Sequence, residues 1–185
     1  MRSKLIQFMV LAMSLPVAWA DASKSDAKPV ISCPGSQKNL RTYLKIHSIL
    51  FMERDASRVR EFYAPEVISH NVDSGGGSAR KVTPEQMGAM WTASKRNSPD
   101  RRLVDDLILC SGEYIIVRTT IHSQDNVGVN GNPPTRKPYV ISGIDIYRFE
   151  NGKVVERWGN ADLMSMVDQI GLTVVPKSGA TGDKP

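Results

Sequence analysis

Residues 143 to 162, Gly143-Ile-Asp-Ile-Tyr-Arg-Phe-Glu-Asn-Gly-Lys-Val-Val-Glu-Arg-Trp-Gly-Asn-Ala-Asp162, bring together the residue types that proton-transfer chemistry needs. Three carboxylates, Asp145, Glu156 and Asp162, stand among Tyr147, Phe149 and Trp158. Asn151-Gly152 is a strong short-range hairpin signal, and a two-residue loop fixes the pairing of the strands on either side. That register sets Glu150 opposite Lys153, Phe149 opposite Val154, Tyr147 opposite Glu156 and Asp145 opposite Trp158. Because side chains alternate across a strand, Asp145, Tyr147, Phe149, Val154, Glu156 and Trp158 are expected on one face. Arg148, Glu150, Lys153 and Arg157 are expected on the other. The first set carries the large aromatics and reads as the interior. Asp162 follows on the parity of Trp158, beyond Gly159. A carboxylate in apolar surroundings has its pKa raised by desolvation, and a like-charged neighbour raises it further. Such a group can take a proton from carbon or water and return it near neutral pH. The competing reading is structural, with Glu156 bonding a buried backbone group or pairing with an arginine such as Arg118.

The three histidines are scattered. His70, in Ile68-Ser-His-Asn71 just before a glycine-rich stretch, reads by itself as a surface residue at a strand end. His47 lies on the apolar face of the first helix and reads as a core histidine, and His122 adjoins a polar run and reads as a loop residue. No His-x-His, His-Glu-x-x-His or zinc-type cysteine grouping occurs, so no metal site is expected. There is no Gly-x-Ser-x-Gly, phosphate-binding loop or dinucleotide fingerprint, which argues against covalent serine catalysis and nucleotide use. Lys and Arg number 24 against 19 Asp and Glu, without a basic stripe interleaved with aromatics, so no nucleic-acid partner is expected.

Helices come first among the elements that must position these groups. Leu40, Tyr43, Leu44, His47, Leu50 and Phe51 recur at three- and four-residue steps and make one apolar stripe. Asp55 or Ser57 can cap a short second helix through Phe62 and Tyr63, which Pro65 ends before a brief extended stretch, Glu66 to His70. Asp73 to Ser78 holds three consecutive glycines and reads as a loop. Thr83-Pro84-Glu85-Gln86 carries a capping box with proline at the first helical position, opening a helix to about Lys95. Met87, Met90 and Trp91 share one face of it, most simply core, with some able to line a pocket mouth. The period then changes: 101–110, 114–121, 138–149 and 153–158 are rich in Val, Ile, Leu and Tyr and read as strands. A last short helix runs from Leu163 to Gln169. Helices followed by a curled antiparallel sheet predict an α+β domain with the helices closing one face.

The N-terminus reads as a secretory signal over residues 1–20: Arg2 and Lys4, an uncharged mainly apolar run from Leu5 to Trp19, and Ala18-Trp19-Ala20 as the cleavage pattern. The run is short for a bilayer-spanning helix and is broken by Gln7, Ser14 and Pro16, so no stable membrane insertion is expected after cleavage. Residues 21–37 read as a flexible leader, 38–172 as the folded domain and 173–185 as a disordered tail. Export, to a periplasm or the outside, puts Cys33 and Cys110 in an oxidising compartment where they could pair. The alternative is two thiols, one exposed before the first helix and one buried in a strand.

The chain from about Lys38 to Leu172 resembles the SnoaL-like polyketide cyclase and ester cyclase group of the nuclear-transport-factor-two-like superfamily. The resemblance is carried by Phe62-Tyr63-x-Pro-Glu66 with His70-Asn71, by Pro133-Pro-Thr-x-Lys137, and by Gly143-x-Asp-x-Tyr-Arg-Phe-x-Asn-Gly-Lys153. Val155-Glu-x-Trp158, Ala161-Asp-Leu163 and Gln169-x-Gly171 complete it. It implies a cone-like fold of about three helices on a curved, mixed or antiparallel sheet around a deep apolar pocket, commonly in a homodimer. It also implies ring closure by aldol chemistry with an aspartate acid/base and no metal or cofactor. Asp162 is the nearest match to that aspartate and His70 to a pocket histidine, while Asp145, Glu156 and Trp158 occupy family-typical positions. The expected protein takes a small, largely apolar molecule. If it is an enzyme, Asp162 would be the acid/base, His70 and Asp145 would polarise or orient, and Trp158, Glu156, Trp91 and Tyr147 would contact substrate. The alternatives are a non-catalytic binding or interaction module, or a subunit-pairing domain that uses the outer sheet face.

Overall fold

The computed structural model describes residues 28–71 and 79–174. The segment expected to be a signal sequence, the triple-glycine stretch and most of the tail lie outside the described residues.

Helix α1 (Gln37–Ile46) buries Leu40, Tyr43 and Ile46 and runs on into a π-helical turn, His47–Met52, which buries Leu50. A short 3-10 turn, Ala56–Glu61, follows, and the Asp55 side chain caps it by accepting from the Ser57 amide. Helix α2 (Pro84–Asn97) opens on the expected capping box between Thr83 and Gln86. Helix α3 spans Leu163–Gln169.

The strands are β1 (Val30–Ser32), β2 (Tyr63–Asn71), β3 (Arg80–Val82), β4 (Arg102–Ser111), β5 (Tyr114–Gln124), β6 (Pro138–Glu150) and β7 (Lys153–Ala161). They form one seven-stranded sheet in the order β1-β4-β5-β6-β7-β2-β3. Strands β4 to β7 are an antiparallel meander, whereas β1 joins β4 and β2 joins β7 in parallel, so the sheet is mixed. Register shifts interrupt the β2–β7, β4–β5 and β6–β7 ladders, and such bulges bend the strands they occupy. Tyr43 and Ile46 of α1 and Met87 of α2 share one core with Ile108, Ile115, Val117, Tyr147, Phe149 and Val154 of the sheet. Burial of this face against the helices is the main favourable term for the fold.

Three local expectations need correction. Residues 30–32 are a strand rather than leader, with Val30 opposite Leu107 and Ser32 opposite Leu109. Immediately after it, Cys33 is buried and bonded to Cys110 of β4. His122 lies in β5 opposite Val140 rather than in a loop.

The third correction governs the site. Asn151 and Gly152 have φ of 50° and 80°, both left-handed as a type I′ hairpin loop requires, and Glu150 faces Lys153 and Phe149 faces Val154 as expected. The register then slips at Val155. Arg148 faces Glu156, Tyr147 faces Arg157, Ile146 faces Trp158 and Asp145 faces Gly159. Because the side-chain period is two, one extra residue sends everything after it to the opposite face. Val154 is thus kept in the core with Phe149, while Arg157, not Glu156 or Trp158, turns inward.

Candidate active-site cavity

A cavity of about 290 Å³ lies between the helices and the inner sheet face. Its walls are largely apolar: Leu50 and Phe51 from the π-helical turn, Met90 and Trp91 from α2, Leu103 from β4, Ile121 from β5, Ile141 from β6, and Leu163 and Met166 from α3. Trp91 is held edge-on between Phe51 and Tyr63, with ring centroids 5.8 and 5.6 Å away.

The polar centre is Asp145 with Arg157. Arg157 Nη2 donates to Asp145 Oδ1 at 3.0 Å, and the two side chains keep 12% and 23% of their surface exposed, enough to reach the cavity without bulk hydration. The guanidinium also sits 5.9 Å from the centre of the Tyr147 ring. Burial works against the charge on Arg157, but Tyr147 and Asp145 outweigh it and hold its pKa above the usual arginine value. Arg157 Nε and the Tyr63 hydroxyl are buried without a partner.

Behind this wall lies a second buried acid, Asp105, only 5% exposed. It accepts from the Tyr43 hydroxyl at 2.8 Å and from Thr119 Oγ1 at 3.2 Å, and His47 Nε2 is 3.6 Å away. Burial pushes the Asp105 carboxyl above its ordinary pKa, although His47 and the two hydrogen bonds pull the other way. Burial also lifts the Tyr43 and Tyr147 phenols well above the usual value, so both stay neutral hydroxyl donors. The site thus offers one carboxylate–guanidinium pair and neutral phenols in apolar surroundings, a set suited to holding and moving a proton beside a substrate oxygen.

Of the residues singled out from sequence, Asp145, Tyr147 and Trp91 line the cavity. Glu156, Trp158 and His70 do not join them, because the Val155 bulge and the β2–β7 pairing set all three on the opposite face of the sheet. There the His70 and Trp158 rings stack at 4.8 Å and 8°, and His70 Nε2 is 2.8 Å from Glu156 Oε1. Arg148 Nε donates to Glu156 Oε2 at 2.9 Å. Burial opposes ionisation of Glu156, but the hydrogen bonds from His70 and Arg148 outweigh it and hold the carboxyl below its ordinary pKa. Glu156 is therefore the anion of an ion-pair cluster, with Arg148 as its arginine; Arg118 pairs with Asp106 instead. Asp162 is exposed and caps α3, its Oδ1 accepting from the Ser165 amide at 3.0 Å. Its neighbours Ala161 and Leu163 line the cavity, which places Asp162 at the rim.

Sequence reasoning missed Arg157, Tyr43 and Asp105. Only Asp105 left a trace: it shares the parity of Leu103, an acid set where a core residue belongs. Among the described residues no three His, Cys, Asp or Glu side chains gather in a way that could hold a metal ion.

A curved sheet closed on one face by helices around a polar-centred hollow defines a cone-shaped pocket protein. The chain belongs to the SnoaL-like polyketide cyclase family, whose model matches residues 41–170. Solved structures agree on the fold. IdmH of Streptomyces antibioticus, a candidate polyketide cyclase, is 23% identical, covers 72% of this chain and 99% of its own, and superposes with a TM-score of 0.63. A candidate SnoaL-like polyketide cyclase from Jannaschia sp. CCS1 is 18% identical over 77% of this chain and 98% of its own, with a TM-score of 0.65. An NTF2-like protein of unknown function from Burkholderia pseudomallei is 25% identical over 72% and 98%, with a TM-score of 0.57. No curated protein sequence matches the chain.

Proposed function

We propose that this is an exported pocket protein that takes a small, largely apolar molecule and moves a proton on it without a cofactor. The observation that carries the reading is the Asp145–Arg157 pair facing a cavity with many apolar side chains in its walls. In this scheme Asp145 accepts a proton from a carbon beside a substrate carbonyl, and Arg157 with the Tyr147 hydroxyl offsets the charge that grows on the carbonyl oxygen. The protonated Asp145 then returns that proton to the substrate, and Asp162 at the rim, the nearest match to the family's acid/base, is the alternative base for the same step. Enolisation leading to ring closure or isomerisation is the matching reaction class.

The test is deuterium incorporation at the α-carbon of cyclic aryl ketones such as 2-tetralone, followed by NMR in heavy water, with calorimetry of the same compounds. Exchange that falls about 100-fold in Asp145→Asn supports acid–base catalysis. Full exchange in both Asp145→Asn and Asp162→Asn would remove these carboxylates from the mechanism.

A second reading, a non-catalytic binding module, is favoured by one observation: each of these carboxylates already accepts a hydrogen bond, from Arg157 and from the Ser165 amide. Ketone binding without exchange would select it.

Export rests on the pattern of residues 1–20, and the Cys33–Cys110 bond is consistent with an oxidising compartment. Sequencing the N-terminus of protein recovered from the periplasm should begin at Asp21.

A further inference from the structure

Two more arginines border the cavity, Arg54 and Arg101, and neither belongs to the Asp145 pair. Both are tied to the turn after α2. Arg54 Nη1 donates to the Ser98 carbonyl at 2.6 Å, and the Arg101 amide donates to the same carbonyl at 3.2 Å. Arg54 has a φ of 58°, a left-handed conformation that a non-glycine residue adopts only when its surroundings hold it there. Lys95 Nζ, donating to the Arg54 carbonyl at 3.3 Å, is part of that hold.

The arginines that form ion pairs with carboxylates among the described residues are Arg58, Arg60, Arg118, Arg148 and Arg157. Arg54 and Arg101 are not among them, and Arg101 Nε is buried with no acceptor at all. The acid nearest to hand, Asp100, is engaged elsewhere: it accepts from Asn126 Nδ2 at 2.6 Å and from Ser123 Oγ at 3.3 Å. The two guanidiniums also feel one another. Burial and then the charge of Arg101 lower the Arg54 pKa from its ordinary value, with Asp100 opposing. Keeping two like charges beside an apolar hollow, one with an orphaned donor, is unfavourable unless an anion joins them. Guanidiniums are also the side chains best shaped to take a carboxylate in paired hydrogen bonds.

Resting on the pocket reading above, we infer that the ligand of this cavity carries a carboxylate on an apolar body, with Arg54 and Arg101 receiving the carboxylate. The apolar body lies against Leu50, Phe51 and Leu103, and the far end of the molecule reaches Asp145 and Arg157.

The test uses a matched pair, 2-naphthoate and its neutral amide 2-naphthamide, titrated calorimetrically into the wild-type protein, Arg101→Gln and Arg54→Gln. The naphthoate should bind the wild-type protein about tenfold or more tightly than the amide. Each substitution should remove most of that preference, weakening the naphthoate about tenfold and the amide by clearly less. If Arg101→Gln fails to fold, judged by its melting curve, the wild-type pair and Arg54→Gln still decide. Equal binding of the two compounds by the wild-type protein overturns the carboxylate inference and leaves the apolar pocket standing. A preference that survives both substitutions overturns the assignment to these arginines, and binding of neither compound overturns the pocket reading as well.

Discussion

Asp145 and Arg157 meet on a diagonal across β6 and β7: Arg157 stands opposite Tyr147, Asp145 stands opposite Gly159, and 3.0 Å separates Nη2 from Oδ1. Gly159 has no side chain to fill the space beside the carboxylate, so Asp145 both reaches its partner and remains open to the cavity.

Removing one member of this pair strands the other in surroundings poor in water. Arg157→Ala should lower stability by about 3 kcal/mol, read as a shift in the urea midpoint. Arg157→Ala with Asp145→Ala together should cost clearly less than the two single losses added. Strict additivity would mean that the pair is not coupled.

The bulge predicts an asymmetry between shortening and substituting. Val155→Ala removes part of one half-buried side chain and should cost about 1 kcal/mol. Deleting Val155 would instead drive Glu156 and Trp158 inward and Arg157 outward, and should cost about 4 kcal/mol or more. Thermal melts of the two variants check this, and equal melting temperatures would contradict this register.

Two carboxylates should bend the pH profile in opposite directions. The Asp105 pKa is raised in the folded protein, so the native state holds that proton more tightly than the unfolded chain. Its contribution is fully present below about pH 3.9, the ordinary aspartate value, and is lost as pH climbs through the raised folded value. Glu156 is depressed, so its contribution is present above about pH 4.3, the ordinary glutamate value, and fades as pH falls through the lower folded value. Relative to wild type, Asp105→Asn should therefore improve as pH rises from 4 to 7, whereas Glu156→Gln should be worst at pH 7 and recover in acid. Denaturation midpoints from pH 7 down to about pH 2.5, well below the ordinary glutamate value, decide it, and parallel profiles would remove both assignments.

Much of the architecture is legible in the sequence. The Thr83–Gln86 capping box, the four long strands, the Asn151-Gly152 loop and the closing helix all rest on local signals: caps, turn residues and periodicity. The site was harder to read because it depends on parity, and a bulge is not written in any one residue. Val154-Val155 reads as ordinary strand, yet the extra residue exchanges Glu156 and Trp158 for Arg157 on the inner face. Asp145 and Tyr147 keep the expected face because they precede the slip. Arg54 and Arg101 were invisible for another reason: their meeting depends on how the π-helical turn and the turn after α2 pack, a long-range relation without a sequence period.

The Cys33–Cys110 bond closes a separation of 77 residues, and losing it should cost about 4 kcal/mol. Cys33→Ser with Cys110→Ser, or the wild-type protein under dithiothreitol, should both melt well below the oxidised protein. A reductant that leaves the melt unchanged would count against the bond.

That tether has an outcome apart from stability. Strand β1 covers β4 over only three residue pairs, yet β4 spans Arg102–Ser111, so among the described residues three residues and one sulfur–sulfur link are what occupy its outer edge there. Unclipped, that edge would offer unpaired amides and carbonyls to a neighbouring molecule. Protein made in a reducing cytosol should consequently reach its fold and still be lost to precipitation, while the same chain oxidised early should remain in solution.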